Sequence, residues 1–486
     1  MLRHGFLQIV MKGWLISASP GAQAGDSMPW FASFWEFCVQ YSNERFGEQW
    51  HLSPVQSLLL HAENTIIPSQ AIIYSPNGHN NTVALLYRTS LYDLREPQLP
   101  ARNDLVIRNG LRLFSPAAAL IRVPESFFIR NPIETQVVLA GIRDVSELLR
   151  PLLDGGHSAI AGRLAGALRR VGRAEQADEI LSTMRAAGYD VRESDPFEVT
   201  QRIFEIGATT EAPIVGRLQA MWAASRDVVL KCFPKSPGLP KNKRAYLSSV
   251  DEIYQSDAYH SLSIEGYRVS PELIERVMSG AWDPAHREAD RQSRDALAAR
   301  GYWQAFQKVK VAVSKVLAGE NPGSVARIDH REWYRELFQP CVTSGLIAAS
   351  ALAGYRNDAV YLRNSGYVPP RWETVRDAMP ALFDLIKAEP EPSVRAVLGH
   401  WLFGYIHPYP DGSGRMARFL MNVLLASGGY PWTVVRVEDR AEYLKALDRA
   451  SIDVDAQPFA AFIAERVRWS DKKITRSASA QNLNGR

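Results

Sequence analysis

Residues 407–418 read HPYPDGSGRMAR, and four kinds of reactive group fall within those twelve positions. His407 offers an imidazole whose ordinary pKa, about 6.5, lets it take a proton from an attacking hydroxyl at neutral pH. Gly412, Ser413 and Gly414 form a glycine-rich turn feeding a helix. Such a turn leaves backbone N–H groups pointing outward over a helix dipole, an arrangement that binds phosphate-like anions. Arg415 and Arg418 lie three apart and share a helix face, with fork geometry suited to phosphate oxygens. Asp411 is a lone carboxylate beside the turn, and one carboxylate plus phosphate oxygens is how Mg²⁺ is usually held. Together these are the parts that phosphoryl or nucleotidyl transfer needs. Each part alone has a plainer reading. A His before Pro commonly ends a helix, DGSG is a common turn, and two such arginines usually form a solvated face. His400, seven residues before His407, is not read as a metal partner. The joint spacing carries the chemistry.

Two helices must hold these groups. One runs to Ile406, with Val394, Val397, Leu398, Leu402 and Tyr405 on its buried side, and Pro408 and Pro410 stop it. A second starts near Arg415, continues to about Ala426 and ends at Gly428-Gly429.

The segment resembles the Fic-domain signature H-P-F-x-D/E-G-N-G-R-x-x-R. The match takes in His407, Pro408, Asp411, Gly412, Gly414, Arg415 and Arg418, with Tyr409 for the usual Phe and Ser413 for the usual Asn. The resemblance extends over residues 250–467. It implies that His407 is the general base for a target hydroxyl and that Asp411 holds Mg²⁺ or Mn²⁺. It implies that Gly412, Ser413 and Gly414 line the anion hole, and that Arg415 and Arg418 take the β- and γ-phosphates. The implied reaction is attack on the α-phosphate of ATP, leaving AMP on a Ser, Thr or Tyr of a target protein. A variant of the superfamily that phosphorylates carries Lys at the position of Gly414, so Gly414 favours AMP transfer.

Three more segments are similar to family elements. AGYRNDAVYLRNSGYVPP looks like the flap, a short β-hairpin that docks the target as an added strand, with Arg356, Val360, Tyr361 and Leu362 in it. RAEYLKALDRAS is similar to the helix bordering the adenine, through Tyr443 and Leu447, with Ser451 for a frequent Asn. SLSIEGY at 261–267 resembles the inhibitory motif S/T-x-x-x-E-G/N, through Ser261, Glu265 and Gly266. The resemblance implies that Glu265 pairs with Arg418 and blocks the γ-phosphate position. In some relatives bearing this Glu the same site removes AMP.

The whole chain has 486 residues, 46% hydrophobic and 22% charged, with a net charge of +4. That length suggests about three domains, and the composition excludes wholesale disorder and collagen-like fibres. The near-balanced charge argues against a dedicated nucleic-acid coat or membrane-surface protein. No run of ~18 apolar residues suggests a membrane span. Cys38, Cys232 and Cys341 are scattered and odd in number, which argues against a disulfide framework or zinc site and points to a reducing cytoplasm. There is no GxxxxGK phosphate loop and no HExxH. Residues 1–27 loosely mimic a secretory leader, but Lys12 interrupts the apolar run. They are read as an overlong start, with Met28 as the first true residue.

The expected fold is mainly α: an all-helical Fic core with a β-hairpin flap, preceded by a small α+β domain and a helical subdomain. The α+β domain spans 28–125. There QAIIYS and TVALLYRTSLYDL read as a hairpin, Asn109-Gly110 as a tight turn, and Ser115-Pro116 as a helix start. The helical subdomain spans 126–190, a helical lead and linker 200–250, the Fic domain 251–467 with its inhibitory helix near 253–266, and a basic tail 468–486. The N-terminal half weakly resembles an antitoxin-like module of bacterial abortive-infection regulators, which would imply protein contact or DNA binding. A homodimer is compatible with the family. Three functions stay open: an autoinhibited protein adenylyltransferase, a de-AMPylating hydrolase or other group transfer at the same site, and a regulator with a weakened Fic site.

Overall fold

The computed structural model describes residues 6–17, 27–197, 212–280, 294–360, 362 and 365–484, with backbone only from 471 onward. The fold is mainly α and divides into two compact units. The first comprises Met1–Ala224 with Ala359–Pro370, and the second Ser225–Asp358 with Arg371–Arg486.

The first unit opens with an antiparallel pair, β1 (Leu7–Met11) and β2 (Trp14–Ser17). These strands fall within the segment read as an overlong start; Val10 and Ile16 are buried, and the Trp14 ring packs edge-on against Phe37 at 5.3 Å. Phe37 belongs to α1 (Met28–Phe46), which buries Trp30, Phe34, Phe37, Cys38 and Tyr41 along one stripe. β3 (His51–Leu52), α2 (Pro54–His61), β4 (Gln70–Ser75), β5 (Asn81–Ala84) and β6 (Ser90–Arg95) follow. Their sheet has the order β3-β4-β6-β5. β4 runs parallel to β6, while β5 pairs β6 antiparallel. The expected hairpin between QAIIYS and the next strand is therefore replaced: the chain crosses over and β6 inserts between β4 and β5.

β7 (Leu105–Arg108) and β8 (Leu111–Phe114) do form a hairpin, with both Asn109 and Gly110 at positive φ as a type I′ turn demands. Ser115 then caps α3 (Pro116–Arg122), its side chain accepting from the Ala118 N–H. Five helices complete the unit's compact part: α4 (Ser126–Arg130), α5 (Pro132–Gly141), α6 (Ser146–Asp154), α7 (Ser158–Arg170) and α8 (Ala174–Ala186). Glu134 and Arg217, both buried, pair at 2.8 Å.

α9 (Pro213–Cys232) straddles the boundary. The second unit contains α10 (Lys243–Ile264), α11 (Pro271–Met278), α12 (Arg294–Leu317), α13 (Pro322–Thr343), α14 (Val375–Ala388), α15 (Pro392–Ile406), α16 (Ser413–Ala426), α17 (Arg440–Asp453) and α18 (Gln457–Asn484). α16 is its centrepiece: all but one of its fourteen residues are buried. A helix buried on every face belongs in a core. α15 packs against it, and its predicted buried residues Val394, Val397, Leu398, Leu402 and Tyr405 are all inaccessible. Among the described residues, no helix is long and apolar enough to cross a membrane.

Candidate active site

The reactive loop joins α15 to α16. His407 is the residue after the last turn of α15, in the left-handed conformation (φ 48°, ψ 63°), with its N–H still bonded to the Phe403 carbonyl at 3.0 Å. A non-glycine residue there is strained. Pro408 and Pro410 forbid helix continuation. The Tyr409 ring anchors the turn by stacking on Tyr334 at 3.7 Å and 6°. Gly412 starts α16 at φ 81°, where a Cβ would come within 2.7 Å of the Phe338 ring. Only glycine meets both demands. α16 begins at Ser413, two residues earlier than the sequence pattern suggested.

Ser413 is buried, and its hydroxyl is spent within the loop. Oγ lies 3.3 Å from both the Tyr409 N–H, from which it accepts, and the Tyr409 carbonyl. Its side chain therefore braces the turn, and only its backbone N–H can serve an anion. Gly414 faces Glu265: a Cβ there would meet Glu265 Oε1 at 2.5 Å.

The two arginines are sequestered differently. Arg418 Nη2 donates to Glu265 Oε1 at 2.7 Å and to the Ser261 carbonyl at 3.1 Å, while its Nε donates to Ser261 Oγ at 2.8 Å. Glu265 and Ser261 come from the end of α10, which Gly266 terminates at φ 87°. Burial alone would raise the Glu265 carboxyl, yet Arg418 and Arg415 hold it below the usual carboxylate range. Arg415 Nη2 donates to Asp411 Oδ1 at 3.2 Å. Its guanidinium carbon also lies 5.1 Å from the ring centroids of both Tyr267 and Phe338. That is a double cation–π contact. Neither aromatic partner was singled out from the sequence, since both lie outside the signature.

Half-buried His407 is pushed down to about 4, first by burial and then by the Arg356 guanidinium, with Glu265 and Asp411 opposing. It is therefore neutral at pH 7 and able to accept a proton. Asp411 is 57% exposed, with Oδ1 accepting from the Gly412 N–H at 2.6 Å and from Arg415. Among the described residues no group of three or more His, Cys, Asp or Glu side chains surrounds it. One exposed carboxylate fits a cation whose other ligands come from phosphates, and does not fit an all-protein cage.

The other predicted residues fall in different settings. Tyr443 is buried in the core, its ring 5.8 Å from Phe462 and its hydroxyl 2.8 Å from His400 Nε2. Leu447 is half-buried on the same helix, α17. Buried His400, pushed down to about 3 by burial and by Arg418, is a neutral packing residue. Among the described residues of 353–370, where the flap hairpin was expected, no strand is present. Val360 and Leu362 are half-buried, and Tyr361 lies outside the described residues. Arg356, expected to face a target, is instead buried under the reactive loop. Its Nε donates to the His407 carbonyl at 2.8 Å.

Residues 328–425 match the model of the Fic/DOC family. Over 114 residues, 23% of this chain and 26% of the relative, the chain is 40% identical to "Protein adenylyltransferase Fic" of Nematostella vectensis. It is 33% identical over 112 residues to "Protein adenylyltransferase fic-1" of Caenorhabditis elegans, covering 23% of this chain and 22% of that one. The chain thus spans about a quarter of the length of these relatives. A solved structure, "Fic-1 (aa134 - 508) from C. elegans", covers 73% of this chain and 99% of its own at 17% identity and a TM-score of 0.41. Residues 328–425 are thus similar to the Fic/DOC family, and the reactive loop lies within that stretch.

Proposed function

We propose that this protein transfers AMP from ATP to a hydroxyl side chain of a target protein, and that Glu265 inhibits it. The observation that carries the reading is the convergence of a neutral base, an anion turn and two arginines on one loop. The identity to relatives named as protein adenylyltransferases supports it, falling in the same stretch of chain.

In this reading the N–H groups of residues 412–414 and the N-terminus of α16 orient the phosphates. His407 accepts the proton of the target hydroxyl as its oxygen attacks the α-phosphorus, and pyrophosphate leaves. Arg415 and Arg418 take the β- and γ-phosphates once freed from Asp411 and Glu265. Asp411 would hold Mg²⁺, which when bound offsets phosphate charge. The Glu265–Arg418 pair withholds the cation that the γ-phosphate needs. A cytoplasmic location belongs to the same reading, supported by three cysteines with no disulfide among them.

The test is auto-modification with ATP labelled on the α-phosphate, comparing the native protein, Glu265→Gly and Glu265→Gly/His407→Ala. The expected result is strong label on Glu265→Gly alone. Label on the native protein equal to that on the variant would remove autoinhibition from the reading. No label on any form, with ATP still bound, would remove AMP transfer and leave hydrolytic removal of AMP to be tested on a modified substrate.

A further inference from the structure

The strained His407 backbone needs an explanation that the reactive loop itself does not supply. A helix ends with carbonyls that have lost their partners. Here α15 ends at Ile406, and the following residues turn away through a left-handed His and a proline, so the Ile406, His407 and Pro408 carbonyls cannot be satisfied by further helix. One residue meets all three. Arg356 Nε donates to the His407 carbonyl at 2.8 Å, and Nη2 reaches the Ile406 carbonyl at 3.4 Å. The Arg356 backbone N–H donates to the Pro408 carbonyl at 2.9 Å. Nη1 closes the arrangement on the Asp358 carbonyl at 2.9 Å, so the fork is fixed at its other end too.

Arg356 is only 2% exposed, so this is not a surface arginine resting on the loop. A planar, always-charged fork is the one side chain that can hold several carbonyls in fixed directions, and a cation at a helix C-terminus also suits the dipole. The guanidinium lies close enough to the imidazole to disfavour its protonation, second only to burial.

We propose that Arg356 is the positioning residue of the base: its guanidinium locks His407 in the left-handed conformation that aims the imidazole and keeps a cation beside the ring. This rests on the proposed role of His407. It assigns to Arg356 a task different from target docking, and one that needs no target to be bound.

Two readouts test it. The first is the kinetics of Arg356→Lys and Arg356→Met, each in the Glu265→Gly background, with thermal melts confirming that each variant folds. Both variants should lose roughly ten- to a hundredfold in kcat, since a base displaced by about 1 Å is costly, with KM for ATP within about twofold of the parent. The second is NMR titration of the His407 ring, assigned against His407→Ala. In Arg356→Met the titration should move up from about 4, and in Arg356→Lys, which keeps a charge, it should move less. Unchanged kcat in both variants, or a drop confined to KM, would overturn the proposal. So would a His407 titration unmoved in Arg356→Met. If that variant does not fold, the Arg356→Lys kcat decides. If the Glu265→Gly parent proves inactive, the function reading fails, while the NMR titration still decides the role of Arg356.

Discussion

The ring centroid of Tyr267 lies 5.1 Å from the guanidinium carbon of Arg415, two residues after Glu265 takes hold of Arg418. One short stretch leaving α10 thus engages both arginines of the loop, one through charge and the other through a π-face. Cation–π contacts with buried partners are worth ~1–2 kcal/mol, roughly a five- to thirtyfold change in an equilibrium. Tyr267→Leu, made in the Glu265→Gly background, should therefore tighten ATP binding several-fold by freeing Arg415. Calorimetric titration checks this, and weaker binding would mean that the stack presents Arg415 to the phosphates.

Ser261 makes the other grip on Arg418. Its hydroxyl accepts from Nε at 2.8 Å within a buried setting. Losing a hydrogen bond to a charged group costs about 1.5–3 kcal/mol. If the proposed inhibition holds, Ser261→Ala should loosen the grip of α10 on Arg418 and raise the modification rate above that of the native protein. The gain should stay below that of Glu265→Gly, because the Ser261 carbonyl and Glu265 still hold Arg418. Initial rates with labelled ATP measure it, and a gain equal to that of Glu265→Gly would make Ser261 the dominant restraint.

Asp411 serves Arg415 in this structure and a metal ion in the proposed reaction. Asp411→Asn removes the charge at nearly constant shape. In the Glu265→Gly background, ATP binding in EDTA should be retained while the gain on adding Mg²⁺ disappears. A Mg²⁺ gain of unchanged size would place the metal elsewhere.

Asp257 lies one turn before Ser261 on α10 and accepts from the Tyr302 hydroxyl at 2.6 Å. Burial pushes its carboxyl up to about 6, against the hydrogen bond from the Tyr302 hydroxyl and the charge of Arg418. The folded value exceeds the unfolded one, about 4. The folded state therefore binds more protons, and this group favours folding most at low pH. That contribution is lost as pH rises through about 6. Asp257→Asn should raise Tm by a few degrees at pH 7.5, with a smaller gain at pH 5. A larger gain at pH 5 would contradict the sign.

The reactive loop was legible in the sequence because its determinants are local. Prolines stop α15, Gly412 needs positive φ, and the apolar spacing of Val394 to Tyr405 marks one face. What escaped was set by distant partners. QAIIYS and SLYDLR are separated by fourteen residues, and nothing in either strand says that they pair in parallel around β5's partner edge. The aromatic-rich Met28–Phe46 hides a helical stripe, because Phe31 and Trp35 interrupt the spacing of Trp30, Phe34 and Phe37. Arg356 looked like a flap residue by its place in the chain. Its contacts with the carbonyls of Ile406, His407 and Pro408, some fifty positions on, exist only in the folded molecule. Tyr267 and Phe338 likewise meet Arg415 only through packing.

The placement of Arg415 and Arg418 on the innermost helix has a kinetic corollary. Backbone amides in the interior of α16 are shielded on every side, so they should exchange with solvent deuterium only when the second unit opens as a whole. Residues 265–267 lie past the end of α10, outside any helix, and should exchange through local opening. In the proposed reaction, control would then lie in how often Glu265 and Tyr267 let go of the two arginines, with α16 serving as a fixed reference that the reactants need not remodel.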